Sequence, residues 1–161
     1  MDDFIQRQGP AFLAHLLRRL SDELVQGASA WYPQAGVTAP PRTASTLLAL
    51  DEHGPLAVME LATLLRQSHP LVIVWIKQLK ALGFVETRID GNDRRRSVLS
   101  LTRSGKTQVK RLRRALDRME AASRRLLDDA GPGVFDALWR MEQACRRQSF
   151  AARLQEQSQA H

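Results

Sequence analysis

Apolar residues recur at three- and four-residue steps along most of the chain and switch to alternation in one short stretch. Leu13, Leu16, Leu17, Leu20 and Leu24 fall on one helical face, which predicts a helix over about 10–28. A break follows through Trp31-Tyr32-Pro33-Gln34-Ala35-Gly36-Val37 and Pro40-Pro41. A short helix over about 42–51 ends near His53-Gly54-Pro55, and another runs from about Val58 to Leu65. Arg66-Gln67-Ser68 reads as a turn. Ser68 is a good N-cap and Pro70 suits a first helical turn, so a further helix is expected up to Leu82, stopping at Gly83. Its Val72, Trp75, Ile76 and Leu79 share one face and should point inward, with the small Ala62 buried where the two helices cross.

The period then changes. Phe84 to Arg88 and Ser97 to Leu101 are strand-like runs around the polar turn Asp90-Gly91-Asn92-Asp93, which together predict a β-hairpin. Its tip carries Arg94, Arg95 and Arg96. After Gly105 the helical period returns: Val109, Leu112, Leu116, Met119, Ser123 and Leu126 make a 3-4-3-4-3 seam suited to packing on another helix. Asp128 to Gly133 breaks it. A last helix over about 134–155 repeats the spacing with Val134, Leu138, Met141 and Cys145, and the polar tail from Gln155 to His161 is expected to fray.

At 161 residues, 43% hydrophobic and 25% charged, the chain reads as one domain with its own core. The acidic Met1-Asp2-Asp3 lacks the order of a secretory signal, and Leu71 to Ile76, the longest apolar run, is too short for a bilayer. Cys145 is the only cysteine, so no intrachain disulfide forms and a reducing, cytoplasmic setting is expected. Its apolar register reads as a small buried core residue; redox sensing is the alternative. The net charge of +7 is concentrated: residues 66–125 hold 16 Lys/Arg against 5 Asp/Glu, the footprint of a nucleic-acid binder. His15, His53, His69 and His161 show no ligand spacing, so no metal is expected. Without a phosphate loop or nucleophile motif, neither an enzyme nor a cofactor is expected.

Asp93-Arg94-Arg95, then Leu101-Thr102 and Gly105, resembles the wing of the MarR family of bacterial winged-helix transcription regulators, whose pattern is acid-x-arginine, then leucine-threonine and glycine. The resemblance extends over nearly the whole chain. It implies a mainly α fold with a small β-hairpin wing: a winged helix-turn-helix core over about 42–104, with dimerisation helices over about 10–30 and 106–157, in a single 1–161 domain. It also implies a homodimeric repressor on a palindromic site in double-stranded DNA, with no membrane role. By position, Ser68, His69, Pro70, Leu71, Ile73, Val74, Lys77 and Gln78 would lie along the recognition helix in the major groove. Arg95 matches the arginine that enters the minor groove, Asp93 the acid that aims it, and Arg94 and Arg96 would meet phosphates.

One departure from the family pattern bears on specificity. Leu71, Ile73 and Val74 stand where the family usually carries polar readers, and aliphatic side chains cannot make bidentate hydrogen bonds to guanine or adenine. The helix reads thymine-rich steps weakly, is covered by another part of the protein, or has lost part of its discrimination; the third option leads to a winged-helix protein-interaction or ligand-sensing module. The family's effector cleft would be lined by His15, Arg19, Trp31, Tyr32 and Arg42, a set suited to a small aromatic or anionic molecule. The alternative is that Trp31 and Tyr32 only cap the first helix against the core.

Overall fold

The computed structural model describes residues 3–91 and 93–159. Met1 and Asp2 of the acidic terminus, Asn92 of the hairpin turn, and Ala160 and His161 of the tail lie outside the described residues. The chain divides into two compact units, Met1–Leu116 and Asp117–His161.

In the first unit, a single helical turn α1 (Phe4–Arg7) and a 3-10 turn (Gly9–Phe12) precede α2 (Leu13–Trp31). Tyr32–Ala35 and Pro41–Thr43 are 3-10 turns, so the proline-rich break is tightly wound rather than open. Then come α3 (Ala44–His53), α4 (Val58–Leu65) and α5 (His69–Ala81), the antiparallel pair β1 (Val85–Ile89) and β2 (Ser97–Leu101), and the first half of α6 (Arg103–Ala130). The predicted helices are present, with boundaries displaced by a few residues. The core gathers around Leu47 and Leu50 of α3, Leu61 of α4, Val72 and Leu79 of α5, and Val109 and Leu112 of α6, all buried. Ala62 is buried as its size predicts.

The start of α6 differs from the sequence expectation. The helix starts at Arg103, ahead of Gly105. Thr102 caps it: its hydroxyl accepts from the Gly105 N–H at 3.0 Å and donates to the Gly83 carbonyl at 2.6 Å. Gly105 then lies in the first turn against β1. A Cβ there would stand 2.0 Å from the Phe84 carbonyl oxygen, so close approach of two backbones requires this glycine.

The second unit contains the end of α6, then α7 (Val134–Arg147) and α8 (Phe150–Gln159). The single last helix expected from the periodicity is therefore two. Gln148 is extended, and the Ser149 hydroxyl accepts from the Ala152 N–H at 3.2 Å, so a serine cap starts a new helix. The tail is helical to Gln159 rather than frayed. Cys145 is exposed, not buried: the half-buried stripe of α7 runs through Val134, Met141 and Ala144 and passes one residue to its side. No described helix is long and apolar enough to cross a membrane.

Candidate nucleic acid interface

Helices α4 and α5 are joined by Arg66-Gln67-Ser68, with Arg66 in the left-handed region at φ 53°. This sharp reversal packs α4 and α5 against each other and turns α5 on the inward quartet. Val72, Trp75, Ile76 and Leu79 are all buried, as their spacing predicts. That burial fixes the rotation of the helix, because residues a turn apart share a face. Pro70, Leu71, Val74, Lys77 and Gln78 are consequently exposed, and Ile73 is half-buried at the margin. Ser68 takes the extended N-cap backbone, but its hydroxyl makes no capping bond, and His69 opens the helix in an exposed position.

The hairpin follows directly. Lys80 near the end of α5 reaches the Thr87 hydroxyl on β1. The strands pair from Val85↔Leu101 to Ile89↔Ser97, and the Asp90 N–H donates to the Arg96 carbonyl at 2.8 Å where the turn begins. On its other edge β2 pairs with Leu56 alone: the Leu99 N–H donates to the Leu56 carbonyl at 2.8 Å, and Leu56 returns the bond at 3.1 Å. One residue after Pro55 carries no strand pattern, so this bridge is invisible in the sequence.

At the tip the three arginines divide. Asp93 accepts from the Arg95 backbone N–H at 2.9 Å through its carboxylate, and its carbonyl accepts from the Arg96 N–H at 2.9 Å. The expected Asp93–Arg95 pairing is therefore made to the backbone: the acid shapes the turn that presents the guanidinium, and side chain does not meet side chain. Among the described residues, Arg94 and Arg95 are exposed and their guanidinium groups have no ion-pair partner. Arg96 differs. It is half-buried, pairs with Glu60 of α4, and lies 3.4 Å from Asp90. Glu60 also accepts from the Ala57 N–H at 2.8 Å, so one carboxylate caps α4 and ties down the turn end of the wing.

The five residues expected to line an effector cleft do not converge within one chain. His15 and Trp31 both belong to α2, 16 residues apart, which places them about 24 Å apart along its axis. His15 stacks on Phe12, and Arg19 pairs with Asp3 at 2.8 Å. The Arg19 hydrogen bond, with backbone N–H groups of the first turn, holds the Asp3 carboxyl below its ordinary range. Trp31 meets Tyr32 edge-on, while Arg42 pairs with Asp22 at 2.8 Å. Tyr32 is buried, and desolvation pushes its phenol above the ordinary tyrosine range, as expected of a core residue. Among the described residues, no group of three or more His, Cys, Asp or Glu is placed to hold a metal.

A sequence model of the MarR family matches residues 35–96, the span from the 3-10 turns through the helix-turn-helix to the wing arginines. No curated protein matches significantly. Among solved structures, the S. aureus MepR–DNA complex is 24% identical over 81% of this chain and 96% of that chain, with a TM-score of 0.65. The PcaV transcriptional regulator from Streptomyces coelicolor, in complex with its natural ligand, is 22% identical over 90% and 99%, with a TM-score of 0.66. Bordetella bronchiseptica BpsR, whose DNA binding is regulated by 6-hydroxynicotinic acid, is 19% identical over 84% and 92%, with a TM-score of 0.61. At these identities the structural matches establish the fold, a mainly helical winged helix-turn-helix with terminal helices. The family match lies on the segment that carries the helix-turn-helix and the wing, so over residues 35–96 the chain is similar to the MarR family of DNA-binding transcriptional regulators.

Proposed function

We propose that this regulator acts as a homodimeric repressor in the cytoplasm, occupying a palindromic promoter site. Helix α5 enters the major groove, presenting Pro70, Leu71, Ile73, Val74, Lys77 and Gln78 with Ser68 and His69 at its start, and Arg95 enters the flanking minor groove. The observation that carries this reading is the division of labour at the wing tip. Asp93 shapes the turn and Arg96 anchors its base, while Arg94 and Arg95 stay exposed and uncompensated. Uncompensated guanidinium groups on a narrow ribbon are matched to phosphates and to the negative potential of a narrow minor groove.

Dimerisation is supported by the apolar side chains each unit leaves uncovered. Leu13, Leu16, Leu20 and Leu24 are exposed on α2, as are Leu138 and Trp139 on α7. Large exposed apolar patches mark partner sites, and closed two-fold pairing is the commonest solution. Release by a small aromatic or anionic molecule is supported by BpsR, whose DNA binding responds to one. In this chain the candidates to meet such a molecule are Trp31 with Tyr32, and Arg42, which Asp22 of α2 holds.

The test is an affinity measurement on Arg95→Ala. It should weaken binding to an operator duplex by about 1–3 kcal/mol while leaving the dimer intact. Unchanged affinity would mean that the wing does not reach DNA. The exposed Leu71 and Val74 support a second reading, an interaction module that keeps the fold without reading an operator; no duplex binding by the wild-type chain would favour it.

A further inference from the structure

Between His69 and Lys77 the outward face of α5 offers no hydrogen-bonding side chain. Pro70, Leu71 and Val74 are exposed there and Ile73 is half-buried, with Leu71 at 38% and Val74 at 50% of full exposure. The inward quartet is fully committed to the core, so the helix cannot rotate to offer a different face without unburying Trp75 and Leu79. A recognition helix contacts base edges chiefly through its N-terminal residues, and the aliphatic stretch lies in that half. Lys77 and Gln78 come about one turn later along the axis.

The chemistry of the major groove decides what such a face can recognise. Guanine presents two acceptors, cytosine an amino donor, adenine one of each, and thymine an acceptor with a C5 methyl group. Against Leu71 and Val74, the polar edge of a G·C pair loses water and gains no partner, which is costly. A thymine methyl loses only apolar hydration. The surroundings favour nucleic acid over a protein partner: the segment 66–125 carries 16 Lys/Arg against 5 Asp/Glu, and Lys77, Arg94 and Arg95 are exposed on the same unit as the aliphatic patch.

We infer that Leu71 and Val74 are specificity-determining residues that read the C5 methyl groups of thymine in the major groove, giving the operator half-site its sequence preference through apolar contact. The inference rests on the DNA-binding reading of α5 and assigns that helix its ligand chemistry. A methyl group at C5 of cytosine occupies the same place in the groove, so 5-methylcytosine is recognised by the same contact.

The experiment has two steps. First, the full-length protein selects duplexes from a random-sequence pool. Second, the selected duplex is resynthesised with deoxyuridine for thymine at one position at a time, and affinities are read by fluorescence anisotropy for the wild type and for Leu71→Ala/Val74→Ala. Both residues are exposed, so the variant is expected to keep the fold, and its thermal midpoint checks that. The expected result is a thymine-bearing consensus in which at least one deoxyuridine weakens binding by about fourfold, the worth of one buried methyl. The double variant should bind thymine and deoxyuridine duplexes alike, and 5-methylcytosine at a sensitive position should bind more tightly than cytosine. A selected consensus indifferent to every deoxyuridine overturns methyl reading and leaves the DNA-binding function standing. A pool that yields no preferred sequence overturns operator reading and methyl reading together. Absence of duplex binding, with self-association that the double variant removes, gives the face to a second copy of the chain and likewise overturns the inference.

Discussion

Gly105 and Thr102 show how much a single position in this chain is asked to do. Thr102 caps α6 while holding the Gly83 carbonyl, and Gly105 lets that first turn approach Phe84 closely enough to lock the hairpin's root to the helix. A methyl at position 105 meets backbone, which cannot swing away. Gly105→Ala should therefore cost about 2–3 kcal/mol in urea denaturation, at the upper end for overpacking; an unshifted midpoint would show that α6 is not seated on Phe84. This pair was legible in the sequence as leucine-threonine and glycine at family spacing, but its mechanics were not. Residues named by type and period fared well where burial follows from periodicity, as for Val72, Trp75, Ile76 and Leu79. Cys145 failed because a helical stripe drifts: after Met141 the half-buried position is Ala144, and the thiol one residue later faces solvent.

Among the elements, the wing is fixed from both ends, by Gly105 at its root and by Arg96 on Glu60 near its tip. Glu60→Gln removes the charge that holds Arg96 while keeping a side chain able to accept from the Ala57 N–H. Because Arg96 and Glu60 are more than a third exposed, the pair adds little to global stability, about 1 kcal/mol at most. Its effect should instead appear in binding: several-fold weaker affinity from a wing whose tip is less well aimed, with an almost unchanged melting midpoint. Equal affinity of the variant and wild type would mean that Asp90 alone suffices to hold Arg96. Helices α2 to α6 and both strands were legible because each has a sustained period and a punctuating Gly, Pro or Ser. The Leu56–Leu99 bridge and the α7–α8 break were not. One is a single residue of pairing, and the other is a serine cap embedded in an otherwise continuous apolar rhythm.

For the molecule as a whole, the exposed leucines of α2 and the apolar residues of the second unit are the surfaces on which the proposed homodimer rests. Leu20→Glu with Leu24→Glu should convert a dimer into a monomer in sedimentation velocity at micromolar concentration, since unpaired charge buried in an apolar interface costs several kcal/mol. A variant that stays dimeric would exclude this face of α2 from the interface. DNA affinity should fall with it, because two half-sites are then met by separate chains. The apolar faces of the proposed dimerisation helices are visible in the sequence, but a face pattern alone does not distinguish packing within a chain from packing between chains. The residues expected to line an effector cleft were the least informative, since His15 and Trp31 lie about 24 Å apart along α2.

Fluorescence anisotropy with duplex from the region upstream of the coding sequence, against a shuffled duplex of equal composition, tests most directly whether this chain reads an operator. Titrations at about 50 mM and 200 mM salt separate base reading from phosphate attraction, because phosphate contacts alone weaken steeply over that range. The native duplex should bind at least about tenfold more tightly than the shuffled one at both salts, with both affinities falling as salt rises. Equal affinities for the two duplexes would contradict operator reading and leave only backbone attraction to the exposed arginines.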